Sequence, residues 1–104
     1  MRRLRWSSLA LGRAAEIVDY IARDRPQAAL DWILGLEQRV LSLVELPMQG
    51  HEVPEWAEPS LRQVIYREHR IIYEVDDHVI DILTIKHGRQ HMGSKRQELH
   101  ATDR

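Results

Sequence analysis

The chain has 104 residues, of which 43% are apolar and 30% charged, the profile of one soluble globular domain with a modest core. It contains no cysteine, which excludes disulfide scaffolds, thiolate metal sites and cysteine nucleophiles and suits a reducing cytoplasm. Its formal net charge is −1, so overall charge gives no warrant for nucleic-acid binding. Charge distribution says more: the last nineteen residues carry five Lys/Arg against two acids.

Arg2 to Trp6 alternates basic and apolar residues, which predicts a short strand. Ser7 or Ser8 then supplies an N-cap. Ala10, Ala14, Ile17, Val18 and Ile21 form the stripe of a first helix. Asp24-Arg25-Pro26 interrupts it, and Pro26 suits the first position of a second helix running to about Leu46. Ala29, Ile33, Leu36, Val40 and Leu43 recur every three or four residues, and Leu30, Leu34, Leu41 and Val44 widen that stripe. The short break predicts an antiparallel helical hairpin. Pro47 to Pro59 holds three prolines and Gly50 and reads as a loop, with Trp56 its one exposed tryptophan.

The period then becomes two. Leu61–Arg67, Arg70–Val75 and Val79–His87 read as strands, with Asp76-Asp77-His78 as a turn. The expected order is β-α-α-β-β-β, a two-layer α+β domain over residues 1–90. Periodicity leaves the first strand either at the edge or in the centre of the sheet. Residues 91–104 read as a polar, basic tail, mobile or carrying a short helix. No run approaches a membrane span, and the N-terminal segment, broken at Arg13 and Glu16, is not a signal peptide. A cytoplasmic location is expected. The six histidines show no metal-ligand spacing, since Gly88 separates His87 from His91, so neither metal nor cofactor is expected.

Several stretches carry a resemblance. They are Trp6-Ser7, the segment from Asp19 to Ala29, Leu46-Pro47-Met48-Gln49-Gly50-His51, the strand pair beginning at Leu61 and His69, and Ile85-Lys86-His87-Gly88-Arg89. Their order and spacing resemble the RelE/ParE superfamily of toxins from type II toxin–antitoxin systems. The Pro-x-x-Gly element, His69-Arg70 and the final His-Gly-Arg lean toward the ParE-like branch. The resemblance implies a toxin that inhibits DNA gyrase and is neutralised by a cognate antitoxin in a heteromeric complex. Its alternative is a RelE-like, metal-independent nuclease that cleaves mRNA on the ribosome. A third possibility is a non-toxic family member that only binds an antitoxin.

In the nuclease reading Arg70, His87 and Arg89 would be catalytic, with the arginines stabilising phosphate charge and histidine moving a proton. Glu52, Glu55 or Glu58 could stand in for the glutamate base of one nuclease variant. The chain departs from the nuclease pattern in having only two lysines and no tyrosine beyond Tyr73. Arg70 also has a plain structural role open to it, as an ion-pair partner of Glu74, Asp76 or Asp81. In the gyrase reading Lys86, His87, Arg89, His91, Lys95 and Arg96 would contact the target. For the antitoxin, Leu30, Leu34, Leu41 and Val44 offer an apolar stripe that a partner helix would cover.

Overall fold

A computed structural model of the chain describes residues 1–90 and 93–99. Its elements are β1 (Arg3–Trp6), α1 (Ser8–Ala22), α2 (Pro26–Glu45), β2 (His51–Glu52), β3 (Leu61–Tyr66), β4 (His69–Val75), β5 (Val79–His87) and α3 (Lys95–Leu99). The five strands form one sheet in the order β1-β5-β4-β3-β2. The predicted α+β architecture is present: a helical hairpin packs on a sheet made chiefly of the C-terminal meander.

Ser7 joins the N-terminal strand, the first helix and the last strand. Its backbone N–H donates to Ile82 O at 2.9 Å. Its hydroxyl donates to Leu83 O at 2.7 Å and accepts from Ala10 N at 2.9 Å, the bond expected of an N-cap. The first strand lies at the sheet edge, parallel to β5, with Arg3 opposite Val79 and Trp6 opposite Ile82. Pro26 stands at the start of α2 as predicted. In the turn between β4 and β5, Asp76 Oδ1 accepts the backbone N–H groups of His78 and Val79. Those two bonds hold its carboxyl below the usual range.

Alternation sorts the sheet into two faces. Val64, Tyr66, Ile71, Tyr73, Ile80, Ile82 and Ile85 meet Trp32, Leu36, Val40 and Leu43 of α2 in the main core. A register shift between Ile72 and Tyr73 against β5 keeps both halves of that strand in phase with this core. The opposite face carries a second cluster, Val53, Trp56, Leu61 and Ile72, with Leu83 and Leu99 against it. Trp56 is therefore buried, at 8% exposure, not exposed as the proline-rich loop suggested. The loop folds back over a sheet face that would otherwise leave apolar residues in water. It also contributes β2, whose two residues pair with Arg62 and Gln63, a strand too short to show a period.

Two close approaches fix the frame. Tyr73 donates to Pro47 O at 2.8 Å and accepts from Gly50 N at 3.0 Å. A Cβ on Gly50 would lie 2.6 Å from both the Tyr73 hydroxyl and Gln63 O, so only glycine fits there. Tyr66 donates to Trp32 O at 2.8 Å and passes directly over Gly35, where any Cβ would collide with its hydroxyl.

Candidate functional site

Arg70 does not converge with His87 and Arg89, which lie together at the end of β5 beside Glu68. On β4 and β5, His69 pairs with His87 and Arg70 with Lys86. Neighbouring residues of a strand point to opposite faces. His69 and His87 are in phase with core residues Ile71 and Ile85, so they face the helices. Arg70 and Lys86 face the other way.

On the helix side, the His69 and His87 rings sit 5.4 Å apart at 77°, and the Trp32 ring stands edge-on to His69 at 5.5 Å. Burial lowers the His69 pKa, the charge of His87 lowers it further, and Glu68 opposes both. Its Nδ1 is enclosed and has no hydrogen-bond partner among the described residues. His87 is held differently: its Nδ1 accepts from Arg89 N at 3.2 Å, and its backbone N–H donates to Gln90 Oε1 at 3.0 Å. Its Nε2 lies 3.8 Å from a Glu68 carboxylate oxygen. Arg67 and Glu68 form the turn between β3 and β4. Arg67 adopts φ 52°, and its guanidinium lies 5.3 Å from the Tyr66 ring centre. These residues wall one side of an open groove of about 710 Å³. The second half of α1 and the first turns of α2 form its other side, with Tyr20 at the lip, 72% exposed. Arg89 is exposed just beyond His87.

The opposite face is a set of closed ion pairs. Arg70 is 9% exposed. Its two terminal nitrogens reach Glu55 Oε1 at 3.3 Å and Oε2 at 3.1 Å, and one also reaches Gln63 Oε1 at 3.1 Å. Its partner is thus Glu55 from the folded-back loop, not Glu74, Asp76 or Asp81. Asp81 pairs with Arg5 on the neighbouring strand, and Asp76 is occupied by its own turn.

Lys86 meets Glu98 Oε1 at 2.9 Å. The other Glu98 oxygen accepts from Arg13 at 3.1 Å and from Thr84 Oγ1 at 2.8 Å. Burial alone would raise the Glu98 pKa. The bonds from Lys86 and Thr84 and the charges of Arg13 and Lys86 outweigh it and hold the carboxyl below its usual range. Lys95 reaches Glu58 at 2.7 Å, and Trp56 Nε1 donates to Gly93 O at 3.0 Å. Together these contacts fasten α3 over the sheet.

His91 lies outside the described residues, as does the side chain of Arg96. Glu52, exposed in β2, touches neither Arg70 nor His87 in register. Leu30, Leu34 and Leu41 fall on one stripe of α2 and are each about half exposed, and Val44 beside them is partly covered. Among the described residues, no three His, Asp or Glu side chains are placed to hold a metal ion, and no helix is long and apolar enough to cross a membrane.

A model of the ParE toxin of type II toxin–antitoxin systems matches residues 4–92. This chain belongs to the ParE toxin family. A solved structure described as the chromosomal ParDE TA system from P. aeruginosa shares the fold, with a TM-score of 0.71 and 24% identity. The match covers 84% of this chain and 96% of that one. No curated protein matches the sequence. The ParE match includes β1, the helical hairpin and the whole meander. It ends before α3, so the Glu98 cluster joins matched residues (Arg13, Thr84, Lys86) to a segment beyond the match. As a ParE-family chain it is a toxin of the type II class.

His69, Tyr20 and Arg13 escaped selection from the sequence. The first was within reach: it is in phase with Ile71, which places it with the core side of β4 and opposite the end of β5. Tyr20 and Arg13 look like ordinary polar-face helix residues, and nothing in their spacing distinguishes them.

Proposed function

We propose that this ParE-family toxin inhibits DNA gyrase without cleaving RNA, and that a cognate antitoxin neutralises it by laying an apolar segment along α2. The observation that carries the first part is the separation of Arg70, across the sheet, from His87 and Arg89. A nuclease needs its proton acceptor and its phosphate-stabilising cation around one scissile bond. His87 lies on the helix side, while Arg70 is turned away and held by Glu55 and Gln63. Contact with the target is assigned to Lys86, His87, Arg89, His91, Lys95 and Arg96, of which Arg89 is exposed and His87 partly exposed. Lys86 and Lys95 enter this role only by exchanging their present partners, Glu98 and Glu58.

The antitoxin surface is Leu30, Leu34, Leu41 and Val44. Apolar side chains at this spacing, left half in water, suit helix-in-groove docking, and a ParD partner accompanies ParE in the P. aeruginosa system. The test is incubation of the purified toxin with gyrase, ATP and supercoiled plasmid. Trapped, cleaved DNA that requires both proteins is the expected result. Intact supercoiling activity with folded, antitoxin-free toxin would refute the gyrase assignment, and primer extension on translated mRNA would then test ribosomal cleavage. Leu34→Asp and Leu41→Asp should each abolish neutralisation while leaving the fold and toxicity in place. Tight antitoxin binding by either folded variant would refute the docking surface.

A further inference from the structure

We propose that α3 is an autoinhibitory latch. While it lies on the sheet it ties up both lysines of the chain, Lys86 with Glu98 and Lys95 with Glu58, and the toxin engages its target after α3 has lifted. The inference rests on the reading above that these lysines contact the target, and it holds whichever enzyme that target is.

Three observations carry it. The first is what the latch withholds. Each lysine bridges α3 to the rest of the domain, in opposite senses. Lys86 on β5 reaches a glutamate of α3, and Lys95 on α3 reaches a glutamate of the 47–60 loop. One movement of a five-residue helix therefore frees both, and it releases Arg13 from Glu98 as well. The second is how lightly the closed form is held. α3 is too short to be a stable helix on its own. Its apolar anchor is Leu99, partly buried against the cluster of Val53, Trp56, Leu61 and Ile72. The Lys95–Glu58 pair is partly exposed and adds little. The attraction of Glu98 for its donors is set against the water that all of them gave up, so the net hold is far smaller than the close contacts suggest. Arg13 Nε is enclosed there with no hydrogen-bond partner among the described residues, which counts against the closed form. Val53 and Trp56 come from the loop, so lifting α3 leaves this apolar cluster in place.

The third observation is what opening leaves behind. Arg70 stands directly opposite Lys86 on β4, and like charges in that position repel. Arg70 keeps its partner Glu55 from the loop. Lys86 loses Glu98 when α3 lifts, and Arg13 loses it at the same moment. The closed form presents an ion cluster already balanced. The open form presents two uncompensated cations, with Thr84 beside them, and suits an anionic target surface. α3 and the target therefore compete for the same positive charges.

The test compares the full chain with Leu99→Ala, with Glu98→Gln and, as a charge control, with Glu45→Gln at an exposed position of α2. Opening is read from hydrogen exchange of the Trp56 indole N–H, whose acceptor is Gly93 O. Toxicity is read as growth arrest per molecule of toxin expressed without antitoxin, and gyrase inhibition is measured alongside. Leu99→Ala leaves every charge in place, so it separates the lifting of α3 from a change in net charge. It should speed the exchange and lower the dose for arrest about fivefold, the effect of losing one partly buried leucine contact. Glu98→Gln should do both by at least about tenfold. Glu45→Gln should do neither. Growth arrest that rises in this way without gyrase inhibition keeps the latch and removes the gyrase assignment. Faster exchange with unchanged or weaker toxicity would overturn the latch. So would unaltered exchange in both α3 variants, no arrest by any folded variant, or an equal gain from Glu45→Gln.

Discussion

Glu98→Ala tests whether α3 is part of the folded domain. The carboxylate is 5% exposed and serves three donors, at 2.9 Å from Lys86, 3.1 Å from Arg13 and 2.8 Å from Thr84. Removing one member of a buried ion pair costs about 3–5 kcal/mol, because the other charge stays behind unpaired. Two circumstances reduce that figure here. The Arg13 side chain is 30% exposed and can turn to water, and α3 has only five residues, so it can lift locally instead of straining the sheet. Lys86, at 13% side-chain exposure, and the fully buried Thr84 have less freedom. A loss of about 2–3 kcal/mol follows, near 10 °C in melting temperature for a domain of this size. Urea unfolding followed by tryptophan fluorescence measures it. Thr84→Val in the Glu98→Ala background should cost little beyond the single change, since the hydroxyl has already lost its acceptor. A loss below about 0.5 kcal/mol, or full additivity of the two substitutions, would refute the reasoning. It would mean that α3 contributes nothing to the closed sheet face.

Gly35→Ala gains about 0.5–1 kcal/mol of helix propensity but drives a methyl group into the Tyr66 hydroxyl. It should destabilise by a net of about 1–2 kcal/mol, and Tyr66→Phe in the same chain should return part of the loss; stabilisation by Gly35→Ala alone would contradict the packing. Stability should also fall with pH through the window that opens downward from 6.5. The unfolded chain takes a proton on His69 that the folded chain resists, so the unfolded state binds more protons there and acid favours it. Denaturation midpoints at several pH values should show this slope in the wild type and a shallower one in His69→Asn, whereas equal slopes would remove His69 as its source. Glu98 acts lower on the scale: its contribution is complete above the ordinary carboxylate value of 4.5 and is lost as pH falls through its lowered folded-state pKa. Glu98→Gln should be least different from the wild type in strong acid.

Periodicity carried most of the fold. The helical hairpin and the three meander strands come directly from spacings of three to four and of two, because each element has one face that must be buried. The same logic has nothing to say about neighbours. Arg3 to Trp6 alternates identically whether its strand lies at the edge or in the centre, so the parallel pairing with β5 was not legible. Trp56 and Arg70 misled for one shared reason. Both belong to the sheet face away from the helices, and the covering of that face comes from the 47–60 loop and α3, which have no amphipathic period. Glu55, the true partner of Arg70, is fifteen residues away across that loop. The separation of Arg70 from His87 was partly present in the sequence. Ile71 assigned to the core places Arg70 on the other side, and Ile85 in the core places His87 with it.

The seam between β1 and β5 also sets an order of assembly. Arg5 meets Asp81 across 76 residues, and Ser7 is fixed by carbonyls at Ile82 and Leu83. Closing so long a loop costs entropy that only the finished meander can offset. During synthesis the N-terminal strand emerges first yet has no surface to join until β5 has been made. The helical hairpin, built from local contacts, forms early on the ribosome. The sheet closes only once β5 has left it, so a nascent toxin stays structurally unfinished until then.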